Sequence, residues 1–177
     1  KVLSSAGRVG DGLILQIAEP TIVKWLTEQA VAAGKAEGRD MSGYKVMVAA
    51  PAYFGTREQA IEATRWFPAM VGNHVADIVE KYGTDRDDIP PSLTAYIKDR
   101  KGYDYSKHGQ SDNAYLDFIT DDIVEGFTVI GDPQAHIDKL KVLEGAGMTQ
   151  FNIYLDNGRE EEILMEYGNT IIPALAG

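Results

Sequence analysis

The feature that most constrains this chain is a grammar repeated along it: a short apolar run, a loop, then a helix of near 3.6-residue period. Leu13-Ile14-Leu15 is followed by Pro20 at a helix start and a helix from about Thr21 to Lys35. That helix carries Ile22, Val23, Leu26, Ala30 and Ala33 near one stripe. The next unit has a strand from Tyr44 to Ala50 and an exit loop from Pro51 to Gly55. Thr56 and Gln59 then form a capping box, opening a helix that runs to Tyr82, divided at Pro68 and closed by Gly83. The third has Phe127-Thr128-Val129-Ile130 as a strand, Asp132 as N-cap and Pro133 in the first helical position. Ile137, Leu140, Leu143 and Ala146 make the buried stripe of its helix, and Gly147 ends it. Phe151 to Leu155 is a further strand. A last helix starts at Glu160 to Leu164, and Gly168 and Pro173 bring it to a close. Runs that are apolar throughout suit strands covered on both faces. Strand-then-helix repetition implies parallel strands with right-handed crossovers. A doubly wound open sheet and a closed barrel both satisfy this order, and period alone does not separate them.

The chain has 177 residues. That is enough for one domain with a real core, but short of the roughly 250 of a closed eight-stranded barrel. Val2 to Arg8 reads as the tail of a helix, so we expect a further portion to precede Lys1 or to lie on another chain. Residues 1–177 are expected to form one domain, with an insertion at 84–122 where helical period is lost. Pro90-Pro91, Gly102 and Gly109 punctuate that stretch, and Gly102 to Gly109 is rich in tyrosine. Insertions of such length in compact domains are lids or disordered segments, and the aromatic content favours an ordered lid.

The formal net charge is −10, which disfavours a phosphate-backbone partner. The nearest basic cluster, Lys98 to Lys101, is interrupted by Asp99. The longest apolar run noted, Val46 to Pro51, is of strand length and far below the roughly 20 residues needed to cross a bilayer. There is no cysteine and no visible secretory signal, which suits a cytoplasmic setting without membrane attachment. His74, His108 and His136 share no helix face, so no metal site is expected.

Four stretches together carry a family resemblance. Ala6 to Ile14, including Gly10-Asp11-Gly12, resembles a helix-to-strand passage of the luciferase-like monooxygenase superfamily. So does Phe127 to Pro133, with its following helix and Gly145-Ala146-Gly147. Phe151 to Leu155 looks like that superfamily's last strand, and Tyr167-Gly168 to Ile172-Pro173 like its closing helix. Tyr103 to Gly109 is similar to a subset that uses the deazaflavin coenzyme F-420. The resemblance implies an α/β fold, the carboxyl-terminal part of a (β/α)8 TIM barrel with parallel strands, plus an insertion before the last strand. This chain would supply the sixth to eighth strands, and a phosphate-binding loop would lie just before Lys1. The implied activity is hydride transfer between coenzyme F-420 and a small organic substrate, with FMN-dependent monooxygenation or a non-catalytic incomplete barrel as alternatives. A dimer is the expected assembly.

Barrel sites are built from the loops at the carboxyl ends of the strands. Here these are Gln16 to Glu19, Ala52 to Phe54 and Tyr154 to Asn157. Gln16 is a candidate cofactor ligand, against the plainer reading of a loop amide bound to backbone. Lys1, at the start of the first helix, is a candidate for a cofactor phosphate. Glu19 stands where sugar-phosphate-oxidising relatives carry a lysine, and a carboxylate there repels a phosphate. Glu19 and Tyr53 are candidate substrate contacts. Tyr103 and Tyr105 are placed to stack on a ring, and His108 is the candidate proton donor, with surface-loop packing as the competing reading. His74 and His136 read as surface or helix-packing residues. Trp25 and Trp66 read as helix–sheet packing, and Glu160-Glu161-Glu162 as a helix start that favours the macrodipole.

Overall fold

The computed structural model describes residues 1–71 and 119–176. The candidates His108, Tyr103 and Tyr105, most of the 84–122 insertion and His74 lie outside the described residues.

The chain opens with α1 (Val2–Val9), turns at Gly10 and enters β1 (Gly12–Leu15). α2 (Pro20–Ala36) follows, with Pro20 in its first turn and the Glu19 carboxylate accepting from the Ile22 N–H at 2.6 Å. β2 (Lys45–Phe54) is the longest strand. α3 (Arg57–Thr64) begins with the capping box expected of Thr56 and Gln59. After the undescribed stretch come α4 (Asp121–Phe127), β3 (Val129–Gly131) and α5 (Pro133–Gly145), whose N-cap is Asp132. β4 (Gln150–Tyr154) leads to α6 (Glu160–Glu166), a π-helical turn over Tyr167–Ile171 and α7 (Ile172–Leu175).

All strand pairs among the described residues are parallel, and β2 is their hub. Gly12 to Leu15 of β1 pair with Lys45 to Val48, and Gln150 to Tyr154 of β4 pair with Met47 to Pro51. The short β3 pairs only with Ala52 to Phe54 at the carboxyl end of β2. β1, β2 and β4 thus form three neighbouring parallel staves, and β3 is a short ladder at their rim.

Three local expectations need correction. β2 does not end at Ala50 but runs through Pro51 to Phe54. Main-chain groups alternate direction along a strand. The Lys45 N–H donates to Asp11 ahead of β1, whereas Thr149 ahead of β4 donates to the Val46 carbonyl, so odd-numbered groups face the β1 edge. Pro51 therefore lacks its N–H towards an edge that β1, ending opposite Val48, has already left. Next, Phe127 is not the first residue of a strand but the last of α4, and the strand begins at Val129. Phe127 is buried, so an apolar tetrapeptide here combined a helix end with a strand start. Finally, Gly168 and Pro173 do not stop the last helix. A wide π turn carries the helical path past them, with Pro173 in the first turn of α7 where its missing N–H costs least.

One face of the three staves is covered by helices. Leu13, Leu15, Val46, Val48 and Ala50 are buried there with Ile22, Val23, Leu26 and Ala30 of α2 and Ile137, Leu140 and Leu143 of α5. α1 packs on α2 almost backbone to backbone. A β-carbon on Gly7 would sit inside the van der Waals shell of the Ala30 carbonyl oxygen and 2.8 Å from its carbon. Arg39 ties this corner by donating to the carbonyls of Gly7 and Gly10. Across the break in the description, Arg65 pairs with Asp121 at 2.6 Å, and Arg57 pairs with Asp121 and Glu125. Ile119 is buried in the core, and Asp121 and Asp122 belong to α4, so residues 119–122 are part of the body.

Candidate functional site

The other face of the staves is the inner one. By register and alternation it carries Ile14 and Gln16 after β1, Met47, Ala49 and Pro51 on β2, and Gln150, Asn152 and Tyr154 on β4. Ile14 is 71 % exposed on this face, the reverse of the usual fate of an isoleucine in a parallel sheet. Polar groups gather at the carboxyl end. Gln16 donates through Nε2 to the Tyr154 hydroxyl at 2.7 Å, across 138 residues of sequence. β1 and β4 both pair with β2, so this bridge spans the width of the central strand, above Ala49. The Phe67 ring packs 5.7 Å from the Tyr154 ring, centroid to centroid, and is itself fully buried.

The remaining candidates take separate places. Tyr53 lies beneath the Arg159 guanidinium, 5.0 Å from the ring centroid. Arg159 also donates to the Phe54 carbonyl and to Glu162, so it locks the loop after β4 onto the end of β2. Asn157 adds a bond to the Ala52 carbonyl at 3.0 Å. Gly55 packs close beside this cluster, and a β-carbon there would come within 2.9 Å of Tyr53 Cε1, so the ring would have to shift. The Asp156 carboxyl at this rim is pushed up from its usual range by burial and by the neighbouring Glu160. Glu19 caps α2 and faces the buried ammonium of Lys139. Lys1 is exposed at the N-cap of α1. α1 runs back towards the start of β1, so its first residue stands on the rim side of the sheet.

Two titratable groups behind the rim, His136 fully buried and Lys139 half-buried, carry no signal in the sequence. His136 is not on the surface: it is fully buried, stacked on Phe54 with ring centroids 4.1 Å apart and an interplanar angle of 17°. Its Nε2 lies 3.2 Å from the Tyr53 carbonyl and its Nδ1 3.1 Å from the Tyr167 hydroxyl. A carbonyl only accepts, so Nε2 carries the proton and Nδ1 accepts from Tyr167. Burial pulls this imidazole from 6.5 down to about 4, although the Tyr53 carbonyl and the Asp132 and Glu166 carboxylates oppose the shift. Lys139 donates to the carbonyls of Glu125 and Gly126 at 2.9 and 3.0 Å, closing the carboxyl end of α4. Burial pulls it down to about 8, against the Glu19 and Glu125 carboxylates. An Asp132-X-X-X-His136 spacing after a helix start gave no hint of this, since the stripe positions chosen were the aliphatic ones. Tyr154 belongs to the rim segment Tyr154 to Asn157 expected from the sequence, and the alternation of Gln150, Asn152 and Tyr154 as polar residues along one face of β4 is the signal that singles it out there.

The luciferase-like monooxygenase family model matches residues 1–150. The chain belongs to this family. It is 26 % identical over 177 residues to a 5,10-methylenetetrahydromethanopterin reductase of Methanopyrus kandleri, covering 97 % of this chain and 47 % of the reductase. Among solved structures it resembles the coenzyme F420-dependent tetrahydromethanopterin reductase of Methanopyrus kandleri. The TM-score is 0.65 at 22 % identity, covering 97 % of this chain and 47 % of that one. It also resembles an F420-dependent secondary alcohol dehydrogenase in complex with an F420–acetone adduct, with a TM-score of 0.58 at 16 % identity, covering 97 % and 45 %. The chain spans about half the length of the relatives it matches. The staves described above therefore form part of a family barrel, consistent with the α/β, parallel-stranded fold read from the sequence. No helix among the described residues is long and apolar enough to cross a membrane. Among the same residues no group of three or more His, Asp or Glu is placed to hold a metal.

Proposed function

We propose that this chain forms one wall of the active site of an oxidoreductase that transfers a hydride between coenzyme F-420 and a small organic substrate. The observation that carries the reading is the inner face: apolar Ile14, Met47 and Ala49 end in the polar Gln16–Tyr154 bridge at the carboxyl ends of parallel strands. An apolar wall with hydrogen-bonding groups along one border fits one side of a planar deazaflavin ring, whose faces are apolar and whose pyrimidine edge is not. When bound, the deazaflavin supplies hydride exchange at its central-ring carbon. Gln16 and Tyr154 hold the polar edge. Ile14 and Met47 keep water from the ring face. Lys1, on the rim side at the start of α1, faces the cofactor's phosphate. Tyr53 flanks the substrate side, and Glu19 stays a substrate-side candidate although its carboxylate also caps α2 and faces Lys139. His108, Tyr103 and Tyr105 remain the proton donor and stacking candidates of the insertion.

The two solved structures that it resembles are F420-dependent by name, which supports the deazaflavin over FMN. Titrating the full-length protein with oxidised coenzyme F-420 is expected to quench its fluorescence, and a hydride donor is then expected to bleach its absorbance. A protein that leaves the deazaflavin spectrum and fluorescence unchanged is not such an enzyme. The exposed Ile14 is also what a second and opposed reading requires, in which the chain is a non-catalytic, incomplete barrel that acts by association and pairs into a dimer. Light scattering that returns a monomer with cooperative melting contradicts it.

A further inference from the structure

The geometry points to Tyr154 as a ligand-binding residue of the mouth, one that offers its phenolic O–H to a carbonyl oxygen on the edge of a bound planar ring. Gln16 acts through it as a positioning residue. This rests on the reading of the mouth as a deazaflavin site. Tyr154 is the last residue of β4, so its side chain leaves the sheet at the rim rather than within the lumen. Its hydroxyl already accepts a bond from Gln16 Nε2 at 2.7 Å. A tyrosine hydroxyl has one proton to give, and that proton has no protein partner among the described residues. The phenol is restrained from two sides, by the Gln16 amide and by the buried Phe67 ring. A donor held in place before a ligand arrives loses little rotamer freedom on binding, so its hydrogen bond contributes more fully to affinity. A hydroxyl that is also an acceptor is polarised by the incoming amide proton and becomes a better donor. Its natural counterpart is a neutral carbonyl oxygen. An anionic phosphate would also meet the Asp156 and Glu160 carboxylates beyond the end of β4.

Binding of oxidised coenzyme F-420 to the full-length protein, followed by fluorescence quenching, tests this with Tyr154→Phe, Gln16→Leu and the double variant. Tyr154→Phe keeps the contact with Phe67 and is expected to weaken binding about three- to tenfold, the size of one hydrogen bond exchanged with water, with the melting temperature unchanged. Gln16→Leu should weaken it less, because the phenol remains but is no longer held. The double variant should bind no more weakly than Tyr154→Phe alone, since Gln16 works through the residue already removed. Wild-type binding with an unchanged dissociation constant in Tyr154→Phe overturns the inference while leaving the functional reading intact. Additive losses in the double variant overturn the positioning role of Gln16. Should Tyr154→Phe fail to fold, an unchanged affinity in Gln16→Leu overturns that role as well. A wild-type protein that does not bind the deazaflavin overturns the functional reading, and this inference with it.

Discussion

His136 makes the stability of this protein depend on pH in a calculable way. The imidazole titrates at about 4 in the folded chain against 6.5 when free. A base whose folded value is depressed binds more protons when unfolded throughout the window between the two. Stability therefore falls as pH falls from about 6.5 towards 4. Between pH 7 and pH 5 the two values imply a loss of about 2 kcal/mol from this one group. The physical origin is explicit. The proton added at Nδ1 would face the Tyr167 hydroxyl, which now donates to that atom, and the charge would stand against the Phe54 ring with no water. Urea melts of wild type and His136→Gln at pH 7, 6 and 5 measure the effect. The glutamine amide can still donate to the Tyr53 carbonyl but takes up no proton. The variant should be less stable at pH 7 through lost stacking, and its stability should decline less steeply towards pH 5 by about 2 kcal/mol. Parallel pH profiles for the two proteins would refute the reasoning, because the carboxylates they share respond equally in both.

Lys139 gives the complementary case at alkaline pH: with a folded value of about 8 against 10.5, wild type should gain stability from pH 8 to pH 10 relative to Lys139→Met, as read by thermal melts. Gly7→Ala should cost about 1–3 kcal/mol or more in urea unfolding, since its β-carbon meets the rigid backbone of Ala30, and a loss below a few tenths would mean that α1 slides freely on α2. Thr56→Ala removes the hydroxyl that accepts from the Gln59 N–H, leaving only the Thr56 N–H to Gln59 bond of the box that starts α3, and should cost about 1 kcal/mol, whereas Thr56→Ser should recover most of it.

Much of this architecture was legible because its signals are local. Glu19-Pro20, Thr56 with Gln59 and Asp132-Pro133 each fix a helix start through a cap that sits within four residues. What was not legible depends on partners distant in sequence. Pro51 reads as a loop until it is known that its N–H side has no strand beside it. His136 reads as a surface or a helix-packing residue, and the choice between the two is made only when Phe54 and Tyr167, 82 positions before and 31 after it, are brought around it. The place of Gln16 after β1 puts it on the rim, and the structure gives it Tyr154 as partner. The face of β4 that carries Tyr154 alternates visibly, but only the register with β2 says which way that face turns. Glu19 was read for its charge towards a substrate, while its carboxylate also serves the end of α2.

The central position of β2 carries a kinetic consequence. Its pairing with β1 joins residues only 33 apart, from Gly12 to Lys45, whereas its pairing with β4 joins Met47 to Gln150, 103 apart. Loop closure over the longer span is slower and costs more entropy, so the amino-terminal α1–β1–α2–β2 unit should assemble first. During that interval the second edge of β2 stands bare, with its alternating carbonyl and amide groups open to any other extended segment. A ribosome that has not yet released β4 would hold the chain in this half-zipped state, and the speed with which β4 arrives sets how often β2 finds a stranger instead.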